Sequence, residues 1–220
     1  MPARVDFLKD VYKIPEEKVE LLVMGADDEK VEEARNPNVR KEIREKYNIK
    51  PEDFLIMTGG KIDNAKKQTL LLMEAVKRIE MENVKLIVFG SVINDLKEEV
   101  NKLVDGDKVQ YIGWINSEDS YKYFAAADLA VFPGRHSVFW EQVVGLGVPM
   151  VVKYWEGTTH IDLDGNCKFL YKDSVDEIKD IISEIINNKE LYERMKSIAT
   201  TKGMDRFSYS KIAQKSISQE

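Results

Sequence analysis

Two groups of residues in this chain of 220 amino acids have the types and spacing to do chemistry. The first is a glycine turn, Thr58-Gly59-Gly60-Lys61-Ile62-Asp63-Asn64-Ala65-Lys66-Lys67, leading into a helical period from Gln68 or Thr69. Free backbone N–H groups, a helix N-terminus and several ammonium groups are what a protein uses to hold phosphate oxygens. The pattern is neither G-x-G-x-x-G nor a Walker loop ending in G-K-[ST], so an ordinary dinucleotide or ATP site is not indicated. Taken singly, each lysine is equally a solvated loop residue. The second group is Trp114, Trp140, Trp155, His136 and His160, with Arg135, Ser137 and Glu141 interleaved. A lone Trp or His often ends half-buried at a loop edge. Together they read as the lining of a small-molecule pocket, with Trp140, Trp155 and His160 shaping its choice of ligand. His136 and His160 lie far apart in sequence and no H-E-x-x-H or paired-Asp cluster joins them, so no metal is expected.

The elements that must position these residues follow from the apolar pattern. Hydrophobic residues make up 43% and charged residues 33% of the chain, enough to bury a core. The formal net charge of -6 disfavours a broad footprint on nucleic acid or an anionic membrane, so any anion site must be local. No apolar run approaches the roughly 18–20 residues of a membrane span, and no signal-peptide region opens the chain. The single cysteine, Cys167, excludes an internal disulfide framework and fits a reducing compartment, so a cytoplasmic protein is expected. From residue 51 onward, apolar β-branched runs alternate with amphipathic stretches, the sign of βαβ units around a parallel sheet. Strands are predicted at 54–58, 84–89, 109–112, 129–132, 150–152 and 168–171, and an earlier one at Val19–Met24. Helices are predicted at 69–79, 94–103, 119–126 and 175–186, with breaks at Asn187-Asn188 and Lys202-Gly203. The expected fold is α/β, a Rossmann-like parallel sheet of about six strands flanked by helices. Four predicted strands run into glycine at their carboxyl ends, where such a sheet opens its binding crevice.

The ordered strand ends resemble the donor-nucleotide half of GT-B glycosyltransferases, in particular the large family-4-like retaining group. The resemblance is carried by Gly60-Lys61 with Lys66, by Val88-Phe89-Gly90, by Tyr111-Ile112-Gly113-Trp114, by Ala125 to Pro133, and by Gly147-Val148-Pro149. It implies that Lys61 and Lys66 grip a donor diphosphate beside Gly59, Gly60 and Gly90. Lysine stands at 61 where relatives carry arginine, which removes a bidentate phosphate contact. It implies that Trp114 and Ile115 contact the nucleotide base, Trp114 by stacking. The signature loop departs from relatives, which carry a pair of glutamates there. Here Gly134-Arg135-His136-Ser137-Val138-Phe139-Trp140-Glu141-Gln142 leaves the first glutamate without a counterpart. Glu141 is the candidate for the ribose, with Gln142 as the alternative, and His136 and Ser137 are candidates for donor phosphate or sugar hydroxyls.

By the same resemblance, residues 1–50 are an interdomain segment, 51–204 the donor-binding domain and 205–220 a closing helix. Its activity would be metal-independent transfer of a glycosyl group from a nucleoside diphosphate sugar to an acceptor hydroxyl. Lys61, Lys66, His136 and Glu141 are the candidate catalytic residues, with Arg135 helping to stabilise the leaving diphosphate. No cofactor is expected beyond the donor itself. The acceptor would come from an N-terminal domain, in the same enzyme or a partner subunit, so this chain alone should be inactive. Two other readings stay open: half of a nucleotide-sugar epimerase, or a non-catalytic flavodoxin-like binding module.

Overall fold

The computed structural model describes residues 2–217. Six strands form one parallel sheet: β1 (Phe54–Gly59), β2 (Val84–Phe89), β3 (Val109–Tyr111), β4 (Leu129–Phe132), β5 (Met150–Lys153) and β6 (Cys167–Leu170). Their order is β3-β2-β1-β4-β5-β6. This is the doubly wound order of nucleotide-binding sheets and differs from the flavodoxin-like 2-1-3-4-5, which removes that module as a description of the fold. The direction of winding reverses between β1 and β4, so the crevice belongs at their carboxyl ends. Both faces of the sheet are covered, which is why β2 reads as an almost unbroken apolar run and is buried at every position.

The helices are α1 (Pro2–Asp10), α2 (Asp28–Ala34), α3 (Pro37–Lys46), α4 (Gln68–Arg78), α5 (Lys97–Leu103), α6 (Ser120–Ala126), α7 (Phe139–Leu146), α8 (Val175–Asn187), α9 (Lys189–Phe207) and α10 (Tyr209–Ile217). One face of the sheet packs Leu55, Met57 and Phe89 against Phe124 of α6 and Trp140 of α7. The other packs Ile56, Leu86 and Val131 against Leu72 and Val76 of α4 and Ile182 of α8. α9 reaches both layers, giving Met195 to one and Phe207 to the other.

Three expectations change. Val19–Met24 forms no strand, because its backbone finds no strand to pair with. The one ladder-type contact nearby is an isolated bridge from Ala26 to Ser208. Lys202-Gly203 does not break a helix. Gly203 lies inside α9 at a close crossing with α7, where an added Cβ would sit 2.1 Å from the Val144 carbonyl oxygen. The boundary placed after residue 204 therefore falls within α9, and the final helix is α10. Residues 28–46, placed in the interdomain segment and helical in sequence pattern, form two helices docked on the sheet layer. Arg44 of α3 is buried and donates to the carbonyls of Ala126, Lys50 and Asp53 and to the Asp128 carboxylate. Arg40 reaches the other oxygen of Asp128 at 2.6 Å. Among the described residues no helix is long and apolar enough to cross a membrane.

Candidate functional site

The site begins as main chain. β1 and β2 end side by side, and each turns through a glycine with a left-handed backbone, Gly60 at φ 127° and Gly90 at φ 122°. Only glycine adopts these angles without strain. The two turns also touch: an added Cβ on Gly90 would lie 1.9 Å from the Gly60 carbonyl oxygen. Gly60 N–H donates to the Phe89 carbonyl at 3.0 Å, and Gly90 N–H to that of Gly113 at 2.7 Å. The result is a crevice whose floor includes the backbone of both turns, with the Phe89 ring packed against Gly59.

The crevice, of about 360 Å³, lies between the β1–α4 turn and the β4–α7 loop. Gly59, Gly60, Lys61 and Lys66 line one wall, and Arg135 and Ser137 the other. All six were named from the sequence. Lys61 is 60% exposed and sits 3.7 Å from the Asp63 carboxylate. Lys66 has no carboxylate partner among the described residues and is half-buried at the rim. Three cations thus converge on one opening of an acidic protein.

A second hollow, of about 580 Å³, shares Gly60 and Lys61 and continues along the ends of β2 and β3. Gly90, Trp114 and Ile115 line it as the sequence suggested, with Trp114 72% exposed and free to meet a planar ring. Thr69, Ser91, Asn116, Ser117, Ser120 and Phe139 also line the two hollows and were missed. Their signal was proximity to the strand ends: Ser91 follows Gly90 directly, and Asn116 stands three residues after Gly113. Common residue types in a loop carry no chemical mark until the fold places them.

The remaining candidates lie elsewhere. Trp140 is fully buried, edge-on to His136 with ring centroids 4.9 Å apart, so it is core and touches no ligand directly. Glu141 is also fully enclosed, facing inward from the first turn of α7. In this conformation its carboxylate cannot meet a ribose, because Oε1 accepts hydrogen bonds from Nε2 of both His136, at 2.9 Å, and His160, at 2.8 Å. Burial pushes the Glu141 carboxyl up, but the bonds from His136 and His160 outweigh it and hold the group below the usual carboxylate range. Gln142 is half-buried, with its side-chain oxygen unpartnered. His136 faces away from the crevice and borders a larger hollow of about 1030 Å³, lined by Leu8, Val19, Leu21, Leu22, Met24 and Val138. The distance in sequence between His136 and His160 had argued against a joint role, yet the fold brings both to one carboxylate oxygen.

This geometry, a crevice at the switch point with cations on its rim, is that of a doubly wound α/β protein. Residues 39–202 match the family model of glycosyl transferases group 1, and the chain belongs to that family. It is similar to an uncharacterized glycosyltransferase of Methanocaldococcus jannaschii, 21% identical over 94% of this chain and 55% of the relative. It is similar also to the mannosylfructose-phosphate synthase of Agrobacterium fabrum, 24% identical over 97% of this chain and 50% of the relative. The chain therefore spans about half the length of these curated relatives. Among solved structures, WaaG, a glycosyltransferase involved in lipopolysaccharide biosynthesis, superposes with a TM-score of 0.74 at 19% identity, covering 98% of this chain and 60% of WaaG. Anabaena HepE in complex with UDP gives 0.73 at 18% identity, covering 91% of this chain and 57% of HepE. The sheet and its helices correspond to one half of a GT-B architecture.

Proposed function

We propose that the chain binds a nucleoside diphosphate sugar and presents it for retaining, metal-independent transfer to an acceptor hydroxyl held by a second domain. The observation that carries this reading is the convergence of Lys61, Lys66 and Arg135 on a crevice that opens into the hollow beside Trp114. The diphosphate lies in the crevice, where the glycine turns and the ammonium groups meet its oxygens. The base lies in the second hollow against Trp114 and Ile115. Negative charge grows on the diphosphate as the sugar leaves, and Lys61, Lys66 and Arg135 stabilise it more in the transition state than in the ground state. UDP is the first base to test, since HepE was solved with it.

The direct test is calorimetric titration with the diphosphates of uridine, guanosine and adenosine in turn. Saturable binding of one of them, weakened in the Lys66→Ala variant, is expected. Heat traces at the level of dilution for all three would remove the donor-binding reading.

A further inference from the structure

We propose that His136, Glu141 and His160 form a binding site for a divalent transition metal of the zinc class, separate from the phosphate crevice. The three side chains come from three segments: the β4–α7 loop, the first turn of α7, and the short turn Thr159–Ile161 between β5 and β6. Their ligating atoms all lie within 4.8 Å of one another. Two imidazoles and one carboxylate are the donor set of open zinc sites, which keep a fourth position for water or another small ligand. Magnesium and calcium prefer all-oxygen shells and do not suit it.

Distance and charge both fit. A tetrahedral ion about 2.0–2.1 Å from each ligand sets them about 3.3 Å apart. The contacts of 2.9 and 2.8 Å from the two Nε2 atoms to Glu141 Oε1 need only open by about half an ångström. The His136, Glu141 and His160 side chains are 13%, 0% and 4% exposed. Glu141 Oε2 is buried with no hydrogen-bond partner at all. A buried carboxylate with one oxygen orphaned is costly unless a cation compensates its charge. A dication does cancel it, and takes the orphaned oxygen as a further ligand.

Access is present through His136, which borders the hollow lined by Val19, Leu21 and Met24. An ion held here would fasten the β4–α7 loop, carrier of Arg135 and Ser137, to the loop between β5 and β6. The inference does not depend on the identity of the donor.

The experiment uses the whole chain, stripped with chelator and dialysed. Zinc is titrated by calorimetry, and cobalt is followed by the visible absorption of tetrahedral Co²⁺. One equivalent should bind, and the His136→Gln and His160→Gln variants should each lose affinity by about tenfold or more, since even indirect contacts to a metal are worth that much. Because variants in a buried cluster can unfold, the unaltered chain supplies a second reading: its melting temperature should rise with zinc and stay fixed with magnesium. No saturable zinc binding by the unaltered chain overturns the proposal. So does equal affinity in both folded histidine variants, which would leave the three side chains as a hydrogen-bonded cluster alone.

Discussion

Lys66 and Lys61 share a crevice but not a circumstance. Lys66 meets no carboxylate among the described residues, whereas Lys61 is largely exposed and has Asp63 nearby. A charge already screened and partly paired contributes less on binding. Lys66→Ala should therefore weaken nucleoside diphosphate binding by about 1–3 kcal/mol, the range for a charge-assisted hydrogen bond. Lys61→Ala should cost less, and a titration in which Lys66→Ala binds as tightly as the unaltered chain would take Lys66 out of the site. Gly90→Ala tests the floor. Its backbone angle alone costs about 1–3 kcal/mol for any residue with a Cβ, and the clash with the Gly60 carbonyl adds to that. A urea midpoint unchanged by the substitution would show that the two turns do not touch as described. The glycines and lysines were legible because their types are unusual at strand ends. The enclosure of Glu141 was not, since nothing in Phe139-Trp140-Glu141-Gln142 says which of two adjacent polar residues faces inward.

At the scale of elements, α3 is fixed to the ends of β1 and β4 by charge. Arg44 and Arg40 both hold Asp128, whose carboxylate also accepts from Leu55 N–H at 2.7 Å. Arg44→Ala leaves Asp128 paired with Arg40 but removes the buried donor to the Ala126, Lys50 and Asp53 carbonyls, so it should cost about 1–3 kcal/mol, read from urea denaturation. A cost below about 1 kcal/mol, the worth of an exposed pair, would mean that α3 is held by apolar contact instead. α10 is docked differently. Ser208 Oγ donates to one oxygen of Asp28, and Ser210 donates from N and Oγ to the other. Burial works against the charged form of Asp28, but these bonds from Ser208 and Ser210 prevail and lower its pKa. A carboxyl with a lowered folded value stabilises above its unfolded value, and that support fades as pH falls through the folded value. Acid melting should thus be less steep in Asp28→Asn, and identical acid profiles would rule out the linkage. The six strands were readable almost to the residue, because both faces of a parallel sheet are covered and each strand becomes a short apolar run. The docking of α3 was not: its signals are Arg40 and Arg44, which look the same on a solvated link as at a buried carboxylate.

Over the whole molecule, the crevice and its cations sit at the carboxyl ends of the central strands β1 and β4, and under the proposed function the acceptor must approach from the open side. The chain matches about half of its curated relatives' length. Purified alone, it should bind its nucleotide but transfer no sugar when assayed against a panel of nucleotide sugars and simple acceptors. Steady turnover without any second protein would remove the need for a separate acceptor domain. The contact between Gly60 and Gly90 bears on how such an enzyme changes over time. A floor built on these two turns offers substitution little to work on, since a side chain at Gly90 meets the Gly60 carbonyl before it alters recognition. Variation in the nucleotide or sugar accepted must then come from the walls, at Trp114, Ile115, Arg135 and Ser137. The crevice is in this sense a fixed socket with exchangeable sides, and a new donor preference can be reached without rebuilding the grip on diphosphate.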